Sequence, residues 1–465
     1  MKNSTNITRK DFLKLAGAGT LAAGAMLTTG CKPRSRVTGS GGAVGEVPVD
    51  RMTYRVNPHT GDRVSLLGYG CMRFPLRQKA DGSGEEIDQD IVNELVDYAI
   101  AHGVNYFDTA PVYIRGWSET AMGIALKRHP RDKFFIATKL SNQRDDPGLR
   151  SFEGSVNLYR QSFKNLQVDY LDYYLLHTVG NGGMKTFKER FIENGMVDFL
   201  LKEKAAGRIR NLGWSYHGDI AAFDYLLAQD IQWDFAQIQL NYQDWRHVAN
   251  PTRDTNAEYL YGELVKHNVP AIIMEPLLGG RLARVPAQAL ALMKAAHPAA
   301  TPAQWAFRYA GTPEHVLTVL SGMTYMEHLQ ENIRTYAPLV PLNEQEYATL
   351  EKVTGILIDA AYIQCTECQY CMPCPYGLDI PGTFAHYNRC VSAGQMLKTS
   401  RDRHYRTARR EFLLGYDRSV PKLRQADHCT GCEICRQHCP QRIHIPQEMR
   451  RINRYAENLK QRLDF

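Results

Sequence analysis

Cysteine is scarce over most of this chain: of eleven, only Cys31 and Cys71 precede Cys365, and nine fall between Cys365 and Cys439. That distribution excludes a disulfide framework spread through the whole fold. No G-x-G-x-x-G turn follows a first candidate strand, so the glycine fingerprint of a doubly wound open sheet is missing. A long apolar run is missing too, since the best candidate, residues 15–27, is too short to span a bilayer comfortably. Charge is nearly balanced, with 56 Lys and Arg against 49 Asp and Glu, and a net +7 does not point to nucleic acid. What is present is ordinary: 44% hydrophobic and 23% charged residues argue against a disordered or fibrous chain. A length of 465 residues allows two or three domains, or one large barrel with an appendage.

Residues 1–31 do not read as fold. Lys2, Arg9 and Lys10 precede the Ala/Gly-rich run, as in an export signal. The stretch Thr8-Arg9-Lys10-Asp11-Phe12-Leu13-Lys14 resembles a twin-arginine signal with Lys10 in place of the second arginine. Thr28-Thr29-Gly30-Cys31 resembles a lipobox with Thr where Leu is usual; a lipid on Cys31 would tether the protein to a membrane surface. The expected location is therefore exported, periplasmic or membrane-anchored, and cytoplasmic if the segment does not act as a signal. An uncleaved N-terminal helix is the plainer alternative. Residues 32–50, containing Gly39-Ser40-Gly41-Gly42, read as a flexible linker.

From 51 to 345, strand-like apolar runs alternate with helical patterns. The strand candidates are 64–68, 106–108, 134–138, 171–177, 209–214, 235–240, 271–274 and 317–320. Helix-period segments include 90–101, 118–127, 155–166, 221–228, 258–266 and 303–309. Eight β-then-α units predict an α/β fold, a (β/α)8 TIM barrel, whose chemistry belongs at the C-terminal ends of the strands. Asp108, Tyr113, Lys139 and His177 fall at or just after such ends.

Phe107-Asp108-Thr109-Ala110-Pro111-Val112-Tyr113, followed by Gly116-Trp117-Ser118-Glu119, resembles the aldo-keto reductase signature. Ala137-Thr138-Lys139 and Leu175-Leu176-His177 are similar to the family's two other catalytic positions. The resemblance implies hydride transfer between NAD(P)H and a small-molecule carbonyl or alcohol. Tyr113 would then be the proton donor, Lys139 would lower its pKa while paired with Asp108, and His177 would orient the substrate oxygen. Taken singly, Asp108 is as well read as a cap, Tyr113 as a core ring and His177 as a satisfied buried histidine; four matches in order favour catalysis. Gly213-Trp214-Ser215 and Gln237 resemble the residues that bind the nicotinamide carboxamide, with Tyr216 where Asn is usual. Met274 stands where many members stack an aromatic ring, and Ser321, Gly322 and Asn332 match the adenosine end. The family's Lys and Arg for the 2'-phosphate fall on Gly322 and His328, so a strong preference for NADP over NAD is not expected.

Residues 360–465 differ in character. Cys429, Cys432, Cys435 and Cys439-Pro440 form C-x2-C-x2-C-x3-C-P, the bacterial pattern for [4Fe-4S] binding. Cys365, Cys368, Cys371 and Cys374-Pro375 repeat it one residue shorter. A small, mostly helical ferredoxin-like domain with two [4Fe-4S] clusters is expected. The fourth cysteine of each motif would cross over: Cys365, Cys368, Cys371 and Cys439 on one cluster, Cys429, Cys432, Cys435 and Cys374 on the other. Zinc also accepts C-x2-C pairs, and disulfides suit an oxidising compartment, but the x2 rhythm favours clusters. Cys390 and Cys71 read as buried thiols. From Lys398 on, sixteen Lys and Arg face eight Asp and Glu: a solvated basic surface, compensation of anionic thiolate clusters, or a docking face for an acidic electron-transfer protein or anionic lipid. The whole chain resembles the branch of aldo-keto reductases with a C-terminal dicluster domain. An iron–sulfur enzyme served by a redox partner is the alternative function, and an exported lipoprotein scaffold without catalysis is a third. Because hydride carries two electrons and a cluster one, a flavin would normally bridge them, and no clear flavin motif is seen.

Overall fold

The computed structural model describes residues 46–462 except 144–145, 248–255 and 398. The proposed signal, the lipidation site Cys31 and most of the linker lie outside the described residues. Eight parallel strands close into a barrel: β1 (Leu67–Gly70), β2 (Tyr106–Asp108), β3 (Phe135–Leu140), β4 (Leu171–Val179), β5 (Ile209–Tyr216), β6 (Phe235–Gln239), β7 (Ala271–Met274) and β8 (Val316–Ser321). Each strand pairs with its neighbours in sequence, and β8 closes on β1 through Val319↔Leu67 and Ser321↔Tyr69.

The first expected strand is displaced. Val64 belongs to Arg63–Ser65, which pairs antiparallel with Tyr54–Val56, and the barrel strand proper begins at Leu67. Both segments are apolar and buried, so hydropathy alone does not separate them. β4 and β5 run past their expected ends to Val179 and Tyr216. Val47, inside the expected linker, is buried against the core.

Tyr106, Ala137, Tyr173, Leu175, Phe235, Ile272 and Leu317 fill the barrel interior together with Val64. The outer strand faces pack on helices whose starts are capped by side chains: Ser151 for Phe152–Leu166, Asn256 for Ala257–Lys266, and Thr301 in a capping box with Gln304 for Pro302–Gly311. Where β5 meets β6, a Cβ on Gly213 would lie 2.2 Å from the Phe235 carbonyl oxygen, so only glycine fits. Helices Gln89–Ala101, Ser118–Leu126, Met196–Ala205, Ile220–Leu227, Ala287–Ala296, Met326–Tyr336 and Glu344–Asp359 also belong to the outer layer.

Beyond it, the chain is helical and loop-rich, built on Ile380–Ser392, Tyr405–Ser419 and Ile445–Gln461. No helix among the described residues is long and apolar enough to cross a membrane.

Candidate active site and metal centre

The C-terminal ends of β2, β3 and β4 bring the expected residues together. Lys139 Nζ donates to Asp108 Oδ1 at 2.6 Å and to the Thr109 carbonyl at 2.7 Å, and both side chains of the ion pair are buried. Burial pushes the Asp108 carboxyl up and the Lys139 ammonium down, and each charge pulls the other back. Tyr113 follows β2 at a left-handed kink, Ile114-Arg115-Gly116, that turns its ring into the mouth. Lys139 Nζ lies 5.0 Å from the Tyr113 ring centroid.

His177 stands edge-on to Tyr113, ring centroids 6.2 Å apart. Its Nδ1 is 2.7 Å from Ser141 Oγ, and burial, then Lys139, His217 and Arg190, hold its pKa well below the ordinary value, so the ring is neutral. Arg190, fully buried, fixes the C-terminal end of β4 by donating to the His177 carbonyl at 2.7 Å and to Thr178 Oγ1 at 3.0 Å. Neither Ser141 nor Arg190 was expected from the sequence; neither belongs to a recognisable spacing.

One electrostatic expectation is corrected. Tyr113's phenol is pushed well above its ordinary value, by burial first and then by Tyr370 and Asp108. The Lys139 ammonium, 5.0 Å from the ring centroid, does not outweigh that burial, so the net shift is upward rather than downward.

Of the expected cofactor residues, Ser215 Oγ accepts from the Thr178 amide at 3.1 Å, and Gln237 Oε1 is buried with no hydrogen-bond partner among the described residues. An orphaned buried acceptor fits a carboxamide N–H2. Met274 ends β7, half-buried. At the other end Asn332 Nδ2 donates to Ser321 Oγ at 3.0 Å, and a Cβ on Gly322 would meet the Arg73 side chain at 3.1–3.2 Å.

The cysteines form two quartets. Cys365, Cys368, Cys371 and Cys439 line one recess, and Cys374, Cys429, Cys432 and Cys435 line another. Among the described residues, no group of three or more His, Cys, Asp or Glu is arranged to hold a metal ion directly. Each quartet instead rings a space, as ligands at separate corners of a cluster would.

The two loops repeat their backbone: Glu367 and Gln369 in one, Gly431 and Glu433 in the other, are left-handed, two and four residues after the first cysteine. Such turns aim amides inward, and the Glu367 amide donates to Cys365 Sγ at 3.4 Å. Burial raises the thiols of Cys365, Cys368 and Cys371, Cys368 to about 12, so a cationic core is needed to hold them as thiolates. Ile380 and Ile445 line walls of both recesses. A signal for them was in the sequence: each follows its Cys-Pro by the same interval and precedes a proline, Cys374-Pro375…Ile380-Pro381 and Cys439-Pro440…Ile445-Pro446. Cys71 and Cys390 are buried free thiols.

The first cysteine loop packs on the barrel mouth. Arg73 Nη2 donates to the Thr366 carbonyl and Arg281 Nη2 to Gln364 Oε1, each at 2.6 Å. Tyr370 reaches His177, its Oη 3.4 Å from Nε2. Sequence reasoning passed over Tyr370.

Residues 66–354 match the model of the aldo/keto reductase family, and residues 364–444 match the 4Fe-4S dicluster domain. Among curated proteins, Protein tas of Escherichia coli (strain K12) is 30% identical over 203 residues, 38% of this chain and 56% of that protein. L-galactose dehydrogenase of Arabidopsis thaliana is 26% identical over 328 residues, 66% of this chain and 95% of the other. The chain spans about half the length of the first curated relatives it matches. An aldo-keto reductase from Bacillus halodurans, solved in its holo form, shares the fold with a TM-score of 0.51 at 24% identity, over 65% of this chain and 96% of that one. An aldo-keto reductase from Klebsiella pneumoniae, solved in complex with NADPH, gives 0.50 at 21% identity over 65% and 96%. With more than half of its length matched by the family model and the barrel closed as that fold requires, this chain belongs to the aldo/keto reductase family and carries a C-terminal 4Fe-4S dicluster domain.

Proposed function

We propose that the chain is an NAD(P)-dependent oxidoreductase acting on a small carbonyl or alcohol at the barrel mouth. The observation that carries this reading is the buried Lys139–Asp108 pair beside Tyr113, with a neutral His177 edge-on to the same ring. A bound nicotinamide supplies or accepts the hydride. Gln237 and Ser215 would hold its carboxamide and Met274 would flank its ring, while Ser321, Gly322 and Asn332 would hold the adenosine end.

The chain's own residues handle the proton. Burial keeps Tyr113 protonated until a carbonyl oxygen gains negative charge, and the Lys139 ammonium stabilises the phenolate that develops as the proton leaves. Asp108 and the Thr109 carbonyl keep that ammonium charged and in place. With Ser141 Oγ–H donating to Nδ1, His177 carries its proton on Nε2 and donates to the substrate oxygen. Tyr113→Phe tests the reading: carbonyl reduction should fall by at least ~100-fold with dinucleotide binding retained. Turnover equal to wild type would overturn it.

Cys365, Cys368, Cys371 and Cys439 would hold a proximal [4Fe-4S] cluster, and Cys429, Cys432, Cys435 and Cys374 a distal one. Clusters of this kind transfer single electrons. A second reading, reduction through a redox partner, is favoured by one observation: the distal recess opens to solvent at exposed Cys432, beside exposed Tyr376 and Ile434. Reduced methyl viologen driving carbonyl reduction without added nicotinamide would support this route. The twin-arginine-like segment supports an exported or membrane-tethered protein, which cell fractionation and labelling of Cys31 with a radioactive fatty acid would test.

A further inference from the structure

Tyr370 stands between Cys368 and Cys371, two members of the proximal quartet, yet its side chain turns toward the barrel. Its ring is nearly perpendicular to that of His177, at 86° with centroids 6.4 Å apart, and its Oη is 3.4 Å from His177 Nε2. The other imidazole nitrogen is already engaged by Ser141. Tyr370 therefore occupies the one nitrogen of His177 that remains for a substrate oxygen.

The loop around it is pinned. Arg73 and Arg281 bond to Thr366 and Gln364, and Gly279 lies so close that a Cβ there would fall 2.5 Å from Thr366 Cα. At the equivalent position of the distal loop stands Ile434, between Cys432 and Cys435, and it faces solvent at 45% exposure. The two loops repeat each other, but at this position only the proximal one carries a hydroxyl, and among the described residues that hydroxyl is the one that reaches His177.

We propose that Tyr370 is a positioning residue of the substrate site, whose hydroxyl caps His177 Nε2 in the empty site, yields to a bound carbonyl oxygen, and so relays site occupancy to the proximal cluster through Cys368 and Cys371. This rests on the reading of the barrel mouth as a carbonyl site. The contact is longer than an ordinary hydrogen bond, so a better acceptor displaces it readily. Displacement moves a side chain anchored between two cluster ligands, and hydrogen bonding around the sulfurs is one of the things that set a cluster's electronic properties.

The test uses anaerobically purified full-length holoenzyme with 4-chlorobenzaldehyde as the carbonyl probe. In Tyr370→Phe the competing hydroxyl is gone and the ring remains, so KM should fall a few-fold with kcat within twofold. The EPR spectrum of the dithionite-reduced wild type should change when the probe's alcohol product is added, and that change should be lost in Tyr370→Phe. His177→Asn, which removes the phenol's partner without substrate, should alter the spectrum directly. An unchanged or raised KM in Tyr370→Phe, or a spectrum indifferent to both the alcohol and His177→Asn, overturns the proposal. Tyr113→Phe run alongside separates the two failures. If it abolishes turnover while Tyr370→Phe behaves as wild type, only the relay is wrong; if it turns over normally, the carbonyl-site reading itself falls.

Discussion

Arg73, just after the first barrel strand, donates from Nη2 to the backbone carbonyl of Thr366 at 2.6 Å, one residue beyond the first cysteine of the proximal quartet. A guanidinium of the barrel is thus bonded to the loop that would bear a cluster. Together with Arg281 and Gln364, it makes the cysteine module part of the barrel mouth rather than a separate appendage.

Gly279 is the tightest point of that junction. It combines a left-handed backbone, φ +67°, with no space for a side chain against Thr366. Gly279→Ala should cost about 1–3 kcal/mol through crowding, with backbone strain adding to it. The expected result is a lower Tm and faster proteolysis within residues 360–380, read by mass spectrometry of the fragments.

The Lys139–Asp108 pair makes a second prediction. Lys139→Met leaves a buried carboxylate without its counter-charge and should destabilise the fold by roughly 3–5 kcal/mol. Combining it with Asp108→Asn should recover part of the stability and none of the activity. Urea denaturation and a carbonyl-reduction assay on the single and double variants check both halves.

Stability should also fall in mild acid. Burial depresses the His386 imidazole to about 4, where its ring stacks on Tyr416 at 5.3 Å. The unfolded ring titrates near ~6.5, so below that pH the unfolded chain takes up a proton the folded chain refuses. The stabilisation present above ~6.5 is therefore lost as the pH falls toward 4, at up to about 1.4 kcal/mol per pH unit. His177, also depressed by burial, acts in the same direction. Urea midpoints at pH 7 and pH 5 should differ, and His386→Phe should narrow the difference.

A weak cofactor preference is the outcome expected from Gly322 and His328, the positions matched to the family's 2'-phosphate residues. Neither offers a fixed cation to a 2'-phosphate, and burial holds His328 below its ordinary pKa. A charge-assisted hydrogen bond contributes about 1.5–3 kcal/mol, roughly tenfold or more in affinity. The ratio of kcat/KM for NADPH over NADH should therefore stay below about ten, and a larger ratio would contradict this assignment.

Crossed ligation predicts which irons are lost together. Cys439→Ser should remove the cluster of Cys365, Cys368 and Cys371, and Cys374→Ser that of Cys429, Cys432 and Cys435. Iron should fall in each case from about eight to about four per chain. Loss of the other cluster in either variant would mean each motif keeps its own fourth cysteine.

The barrel was legible because its strands are short apolar runs separated by helical periods, and because Asp108, Tyr113, Lys139 and His177 come in a recognisable order. Its first strand was misread because Val64 and Leu67 are equally apolar; only pairing tells a capping hairpin from a barrel strand. The cysteine quartets were legible in their spacing, and the recesses group them as the crossing expected. Tyr113's electrostatics were not, since they depend on how deeply the fold buries the phenol and sets it beside Tyr370 and Asp108. Tyr370 was invisible for another reason: its importance comes from the docking of one module on another, which no local pattern encodes.

Crossing has a consequence in time. The proximal quartet draws three cysteines from before residue 372 and its fourth from residue 439, after the helices Ile380–Ser392 and Tyr405–Ser419. With the proposed crossed ligation, the loop that meets His177 would not acquire its full ligand set until nearly all of the chain has been synthesised and those helices have closed up. A ribosome-bound barrel would then have its strands and its catalytic order but not its finished mouth, and maturation of the site would be gated by the last stretch of the polypeptide.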